Sequence, residues 1–216
     1  MTADLFDNLA GERPSREIIA DGAELLRGYS SLDEGLIAAL RDVTVQAPFR
    51  HMQTPGGHQM SVAMTNCGAV GWVTDRRGYR YDRLDPDTGK PWPAMPPAFI
   101  RLAAEAAAAC GYADFAPDAC LINRYAPGAR MSLHQDKDEL DFAAPIVSVS
   151  LGLPAIFLFG GSQRSDKPTR FRLEHGDVVV WGGPSRLFFH GVAPLADGEH
   201  AVMGRQRINL TFRKAF

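Results

Sequence analysis

The second half of this chain is cut into pieces too short to be helices. From residue 120 onward the segments 120–125, 146–151, 156–159, 170–173, 177–181, 187–190 and 207–213 are rich in β-branched and aromatic residues. Between them stand Pro127-Gly128, Gly160-Gly161, Gly176, Gly182-Gly183-Pro184 and Gly198. Glycine admits turn conformations and proline withholds a ladder donor, so each cluster ends the strand before it. Seven short strands at this spacing predict a sandwich or jelly roll, not alternating βαβ units. The 21 Gly and 15 Pro among 216 residues agree with that reading, and 45% hydrophobic with 22% charged residues excludes disorder and collagen-like repeats. The length suits one good-sized domain with at most a small lid.

The first half predicts two helices. Ser31 with Glu34 forms a capping-box pattern, Leu32, Leu36, Ile37, Leu40 and Val43 recur at helical spacing, and Pro48 marks the limit. The second begins near Pro97, runs through an alanine-rich stretch at 99–110 and stops at Gly111. Between them, 49–96 is rich in Gly, Pro, Thr and aromatics and reads as hairpins and exposed loops. Residues 1–30 give only weak strand signals, such as Leu25 and Leu26.

Charge and cysteines narrow the setting. Lys+Arg 23 against Asp+Glu 25 gives a net charge of −2, which argues against strong non-specific phosphate binding but allows a local basic groove. Cys67, Cys110 and Cys120 are odd in number and contain no C-x-x-C pair, so neither a disulfide framework nor a thiolate zinc site is expected, and a reducing cytoplasm is the simplest home. The acidic N-terminus does not read as a signal peptide, and no window approaches the ~18 apolar residues of a membrane span. With no heptads or long amphipathic segment, a monomer is expected.

Three segments place polar residues where a plain core would not. In Arg207-Ile208-Asn209-Leu210-Thr211-Phe212-Arg213 every odd position is polar and every even one apolar. Strand side chains alternate faces, so one face presents Arg, Asn, Thr and Arg in a row. That face either meets solvent or lines an interior that holds an anion, since guanidinium forks onto carboxylates. Asn123 and Tyr125 share one face of their strand in the same way. In Ser132-Leu133-His134-Gln135-Asp136-Lys137-Asp138, His134 and Asp136 fall on one side of an extended backbone, and His190 ends the apolar run Leu187-Phe188-Phe189. Two imidazoles and one carboxylate on one face of an octahedron are the ligand set of non-haem Fe(II) oxygenases. His51, His58, His175 and His200 lack such a partner set; His175 reads as a turn residue and as the substitute ligand should His190 fail.

Taken together these segments resemble the AlkB family of iron(II)- and 2-oxoglutarate-dependent dioxygenases, which repair alkylated nucleic-acid bases. The resemblance runs from about Gln46 to Arg213. It rests on Thr54-Pro55-Gly56-Gly57, Ser61-Val62-Ala63-Met64-Thr65-Asn66-Cys67-Gly68, Asn123-Arg124-Tyr125-Ala126-Pro127-Gly128, His134-Gln135-Asp136-Lys137-Asp138, Ser148-Val149-Ser150-Leu151-Gly152 and the strand from Arg207 to Arg213. Residues 1–20 and 197–206 carry no family motif.

The resemblance implies a mainly β fold with flanking helices, a double-stranded β-helix or jelly roll. It implies an N-terminal extension and helix over 1–47, a nucleotide-recognition lid over 48–96 and a catalytic core over 97–216, integrated as one domain. His134, Asp136 and His190 would bind Fe(II); Arg213 would grip the distal carboxylate of 2-oxoglutarate, with Asn123, Tyr125, Arg207 and Asn209 completing that pocket. Trp72 and Tyr79 would stack on a flipped base, and Asp138 and Arg164 would serve the substrate side. Asp138 would favour 1-methyladenine and 3-methylcytosine, which carry a positive charge; at ~4 Å and a dielectric near 20 the raw attraction is roughly 4 kcal/mol. Arg76, Arg77, Arg80 and Arg83, with Arg164, Lys167, Arg170 and Arg172, would offer a phosphate-facing surface. The implied substrate is alkylated single- or double-stranded DNA, with RNA as a further candidate. Two alternatives stay open: a 2-oxoglutarate-dependent hydroxylase of a protein or small molecule, and a metal-free jelly-roll binding module.

Overall fold

The computed structural model describes residues 14–30 and 34–216. Its frame is an eight-stranded antiparallel sheet facing a four-stranded one. Along the chain come β1 (Arg16–Ala20), β2 (Ala23–Leu26), α1 (Glu34–Gln46), β3 (Arg50–Gln53), β4 (Gln59–Gly68), β5 (Gly71–Asp75), β6 (Gly78–Asp82) and α2 (Pro97–Ala109). Then follow β7 (Ala119–Tyr125), β8 (Met131–His134), β9 (Ile146–Gly152), β10 (Ala155–Phe159), β11 (Thr169–Leu173), β12 (Val178–Trp181), β13 (His190–Val192) and β14 (Arg207–Arg213). The large sheet runs β1-β2-β12-β9-β14-β7-β4-β3, the small one β11-β10-β13-β8, and β5-β6 stand apart as a hairpin. This is the expected jelly roll with helices outside.

Both helices cover one face of the large sheet. Leu36, Leu40 and Val43 of α1, with Phe99, Leu102 and Ala106 of α2, pack on Ile122, Val149, Leu210 and Phe212. Pro97 opens α2 at a position where a missing N–H costs nothing, and Gly111 closes it at φ 86°. The Ser31 cap expected for α1 lies outside the described residues.

The alternation in β14 decides the character of the fold's interior. Ile208, Leu210 and Phe212 enter the helix-side core, while Arg207, Asn209, Thr211 and Arg213 face the space between the sheets. All seven residues are buried, so the polar face does not meet solvent. Strands β7 and β9 repeat the arrangement, with Asn123 and Tyr125 and with Ser148 and Ser150 turned inward. Three adjacent central strands thus pool their polar residues in one cavity.

Several elements differ from expectation. Residues 187–189 are not extended: the chain leaves a short 3-10 turn at Gly183–Ser185, Phe188 N–H bonds back to Ser185 O, and the strand begins only at His190. The segment 49–96 is more than hairpins and exposed loops, since β4 is a ten-residue strand inside the large sheet, paired to β7 from Ala63 to Gly68. What projects is the β5–β6 hairpin with its following loop, and Gly71 at its start lies so close to the Trp92 ring that a Cβ would overlap it at 2.4 Å. Among the described residues no helix is long and apolar enough to cross a membrane.

Candidate metal centre and keto-acid pocket

Register brings the two histidines together. β8 and β13 pair with His134 directly opposite His190, which sets the rings 4.4 Å apart. Asp136, two residues past the end of β8, completes the cluster: Oδ1 lies 3.6 Å from His134 Nε2 and Oδ2 3.9 Å from His190 Nε2. The donor atoms all fall within 4.8 Å of one another, so the three side chains can hold one metal ion.

Each imidazole is oriented the same way. His134 Nδ1 lies 2.9 Å from Ser132 O and His190 Nδ1 3.0 Å from Phe188 O. A donor at Nδ1 leaves the lone pair on Nε2, the nitrogen that faces the cluster, as metal-binding histidines require. Burial, reinforced by His134, holds the His190 pKa down to about 4, so it stays a neutral ligand through mild acid. Burial alone would raise the Asp136 carboxyl, but Arg213 and then the two histidines hold it well below the usual carboxylate range.

The depressed histidine makes a stability prediction for the metal-free protein. Between about 4 and its unfolded value of 6.5, the unfolded chain carries a proton that folded His190 lacks, so acid favours unfolding. Stability should be constant above that window and fall as pH drops through it, by up to about 3 kcal/mol. Denaturant midpoints at several pH values check this. His190→Asn should remove most of the slope, and an unchanged slope would reject the assignment.

The guanidiniums divide differently from expectation. Arg213 lines the cavity, but its Nε and Nη2 donate to Asp136 Oδ2 at 2.8 and 2.6 Å. Arg207, 1% exposed, donates Nη2 to Ser150 Oγ at 2.7 Å and stands over the Tyr125 ring, while its Nε and Nη1 find no partner. Burial lowers its pKa from the ordinary arginine value. Asn123 Oδ1 is likewise unpartnered. Asn209 is spoken for, giving Nδ2 to Ser148 and Val149 and accepting from Thr211. These groups, with His134 and His190, line one partly open cavity. A buried cation with two idle donors suits an anion, and a keto acid with one end at the metal cluster would supply it. The residues present therefore fit both iron and 2-oxoglutarate.

The hairpin is tied to the segment just past Asp136. Trp72 and Tyr79 stack at 5.7 Å and 19°, and the Trp72 indole N–H donates to Asp138 Oδ2 at 2.8 Å. Asn66 fixes the Trp72 backbone from both sides, Oδ1 accepting its N–H and Nδ2 donating to its carbonyl at 3.0 Å. Arg164 is exposed, over the Phe189 ring at 5.2 Å. Of the arginines expected to face phosphate, Arg77 and Arg80 are paired with Asp75, and Arg172 with Glu174; Arg76, Arg83, Arg170 and Lys167 are exposed. His175 accepts from Gly152 N–H and stacks on His200, outside the cluster. Glu139, Arg186 and Tyr81 are buried or partly buried beside the cluster and were not legible as site residues. A charged residue set against the apolar run 187–189 was the one available signal for Arg186.

A jelly roll with two histidines and a carboxylate at its mouth, and an unsatisfied arginine deeper in, defines the class of non-haem iron oxygenases that consume a keto acid. The family model of the 2OG-Fe(II) oxygenase superfamily matches residues 22–213. The chain is 60% identical to alpha-ketoglutarate-dependent dioxygenase AlkB of Escherichia coli (strain K12), over 98% of each chain. It is 30% identical to DNA N(6)-methyladenine demethylase ALKBH1C of Arabidopsis thaliana, over 93% of this chain and 50% of that one. The solved structure of OsALKBH1 superposes with a TM-score of 0.80 at 29% identity, covering 92% of this chain and 99% of that one. The chain belongs to the AlkB family within this superfamily, and it is an Fe(II)- and 2-oxoglutarate-dependent dioxygenase.

Proposed function

We propose that the enzyme oxidatively demethylates N-alkylated bases, 1-methyladenine and 3-methylcytosine, in single- or double-stranded DNA, with RNA as a further substrate. The observation that carries this reading is the stacked Trp72–Tyr79 pair tethered to Asp138, an aromatic platform beside a carboxylate at the mouth of the metal cluster. The relative from Arabidopsis thaliana, a DNA demethylase by name, supports a nucleobase as the substrate.

His134, Asp136 and His190 hold the iron in this reading. Arg207, with Asn123 and Tyr125 beside it, receives the far carboxylate of 2-oxoglutarate, and Asn209 braces the pocket wall. Arg213, first expected in the Arg207 role, instead orients the Asp136 carboxylate. When bound, iron and keto acid, with O2 as the oxidant, would supply the oxidation: one oxygen atom goes to the N-methyl carbon, giving an N-hydroxymethyl group that sheds formaldehyde, and the other enters the succinate formed as 2-oxoglutarate loses CO2.

A base inside a stack cannot reach this cavity, so the nucleotide must be flipped out, at a cost of a few kcal/mol that is least for a lesion that no longer pairs. Stacking against Trp72 and Tyr79 returns roughly 1–3 kcal/mol per base. Asp138 has Oδ2 on the indole and Oδ1 left to attract a cationic base. Arg164 serves the flanking backbone. The lid expected over 48–96 narrows to the β5–β6 hairpin, and the chain is read as a monomer of a reducing cytoplasm, in keeping with its three free cysteines.

Incubating iron-loaded protein with 2-oxoglutarate and an oligonucleotide carrying 1-methyladenine should release formaldehyde and restore adenine. Release from no N-methylated base, with 2-oxoglutarate still consumed, would move the substrate to a protein or small molecule.

A further inference from the structure

The buried charge around the metal cluster extends past its three ligands. Glu139 is buried three residues beyond Asp136, and its Oε1 accepts a hydrogen bond from the Tyr81 phenol at 2.5 Å while lying 3.5 Å from Arg213 Nε. Its Oε2 faces Arg186 Nη2 at 3.1 Å, and Arg186 Nη1 donates to the Asp136 backbone carbonyl at 2.8 Å. Arg213 in turn grips the Asp136 side chain. Two carboxylates and two guanidiniums therefore form a ring without net charge, holding Asp136 by both its backbone and its carboxylate. Tyr81 lies on β6, directly opposite Trp72 in the hairpin register, so it shares a face with the aromatic platform.

We infer that Tyr81 is a positioning residue for the metal centre: its phenol fixes Glu139, which through Arg213 and Arg186 sets the Asp136 carboxylate. Without the phenol, Glu139 Oε1 would have Arg213 as its main partner and would compete with Asp136 for that guanidinium. Groups behind metal ligands commonly matter tenfold or more for affinity. The same link couples the hairpin that stacks the base to the carboxylate that holds the metal, so occupation of each site should favour the other equally. Burial pushes the Tyr81 phenol well above its ordinary pKa, which keeps it a neutral donor. Its ring packs edge-on against Phe216 and beside Val70, Ala119 and Ala215, contacts that Tyr81→Phe retains.

The inference rests on the metal and base-stacking reading above, and cobalt(II) binding separates the two. Affinity for Co(II), titrated without oxygen, is compared among the parent, Tyr81→Phe, Glu139→Gln and the double variant, with thermal unfolding as the check on folding. The expected result is a roughly tenfold weakening for Tyr81→Phe, at least as much for Glu139→Gln, and no further loss in the double variant, because Tyr81 acts only through Glu139. A Tyr81→Phe affinity within about twofold of the parent, or losses that multiply in the double variant, would overturn the link while leaving the metal reading intact. A parent that binds no Co(II) would overturn both. Should Tyr81→Phe not fold, the parent still decides: Co(II) should bind several-fold more tightly with a methylated oligonucleotide present, and an unchanged affinity would overturn the coupling.

Discussion

The Asp136→Ala variant should lose metal binding and measurable turnover, and it should also unfold more easily than the parent when both are free of metal. The first loss follows from removing the carboxylate ligand that sits between the two imidazoles. The second comes from what stays behind: Arg213, buried, would have its main partner deleted and only Glu139 at 3.5 Å to answer it. Breaking a buried pair in this way costs about 3–5 kcal/mol. Urea midpoints of the metal-free proteins measure it, and Asp136→Asn, which keeps an oxygen for Arg213, should lose less stability while still losing metal. An Asp136→Ala protein as stable as its parent would show that Glu139 alone neutralises Arg213.

Arg207 should behave in the opposite sense. Its guanidinium is buried with two donors idle, so the ligand-free fold carries a desolvated cation for the sake of a partner that arrives later. Arg207→Met should leave the ligand-free protein as stable as the parent or more so, by about 1–4 kcal/mol, because an apolar side chain of similar volume removes the desolvation cost. The same change should raise the 2-oxoglutarate concentration needed for half-maximal rate by roughly 100-fold or more, matching about 3 kcal/mol for a lost charge-assisted fork. Arg207→Lys should fall between, since an ammonium supplies charge without the fork. The KM for oligonucleotide should hardly move in either variant. If Arg213→Lys raised the keto-acid requirement while Arg207→Lys left it alone, the far carboxylate would belong on Arg213 as the sequence first suggested.

The proposed exchange of arginines shows where sequence reading reaches its limit. The strand from Arg207 to Arg213 is legible to the residue, because period-two alternation reports faces directly, and so is the expectation that His134 and Asp136 point the same way. Alternation does not say which end of a strand faces the metal. Only the register of β14 against β7 and β9, and the position of Asp136 past the end of β8, puts Arg213 at the cluster and Arg207 deeper in the cavity. The extended segment expected around His134 is shorter than its pattern implies, since β8 ends at His134 and Asp136 lies beyond it. The run 187–189 was read as strand because its apolar residues pack without being extended. Tyr81 and Glu139 were invisible for a different reason: each is ordinary in its own segment, and they acquire a role only when the hairpin folds onto the residues after Asp136.

Among the described strands the last in sequence, β14, is one of the two at the centre of the large sheet. β14 is flanked by β7 on one side and β9 on the other, so it is inserted into the middle of the large sheet, not added at its rim. During synthesis β7 and β9 are completed while the segment that joins them is still unmade, leaving two open hydrogen-bonding edges and no guanidinium wall. A polypeptide cut before Arg207 would keep all three metal ligands but lack both guanidiniums of the cavity wall, and its exposed strand edges would make it a sticky, inert product in place of a weakened enzyme.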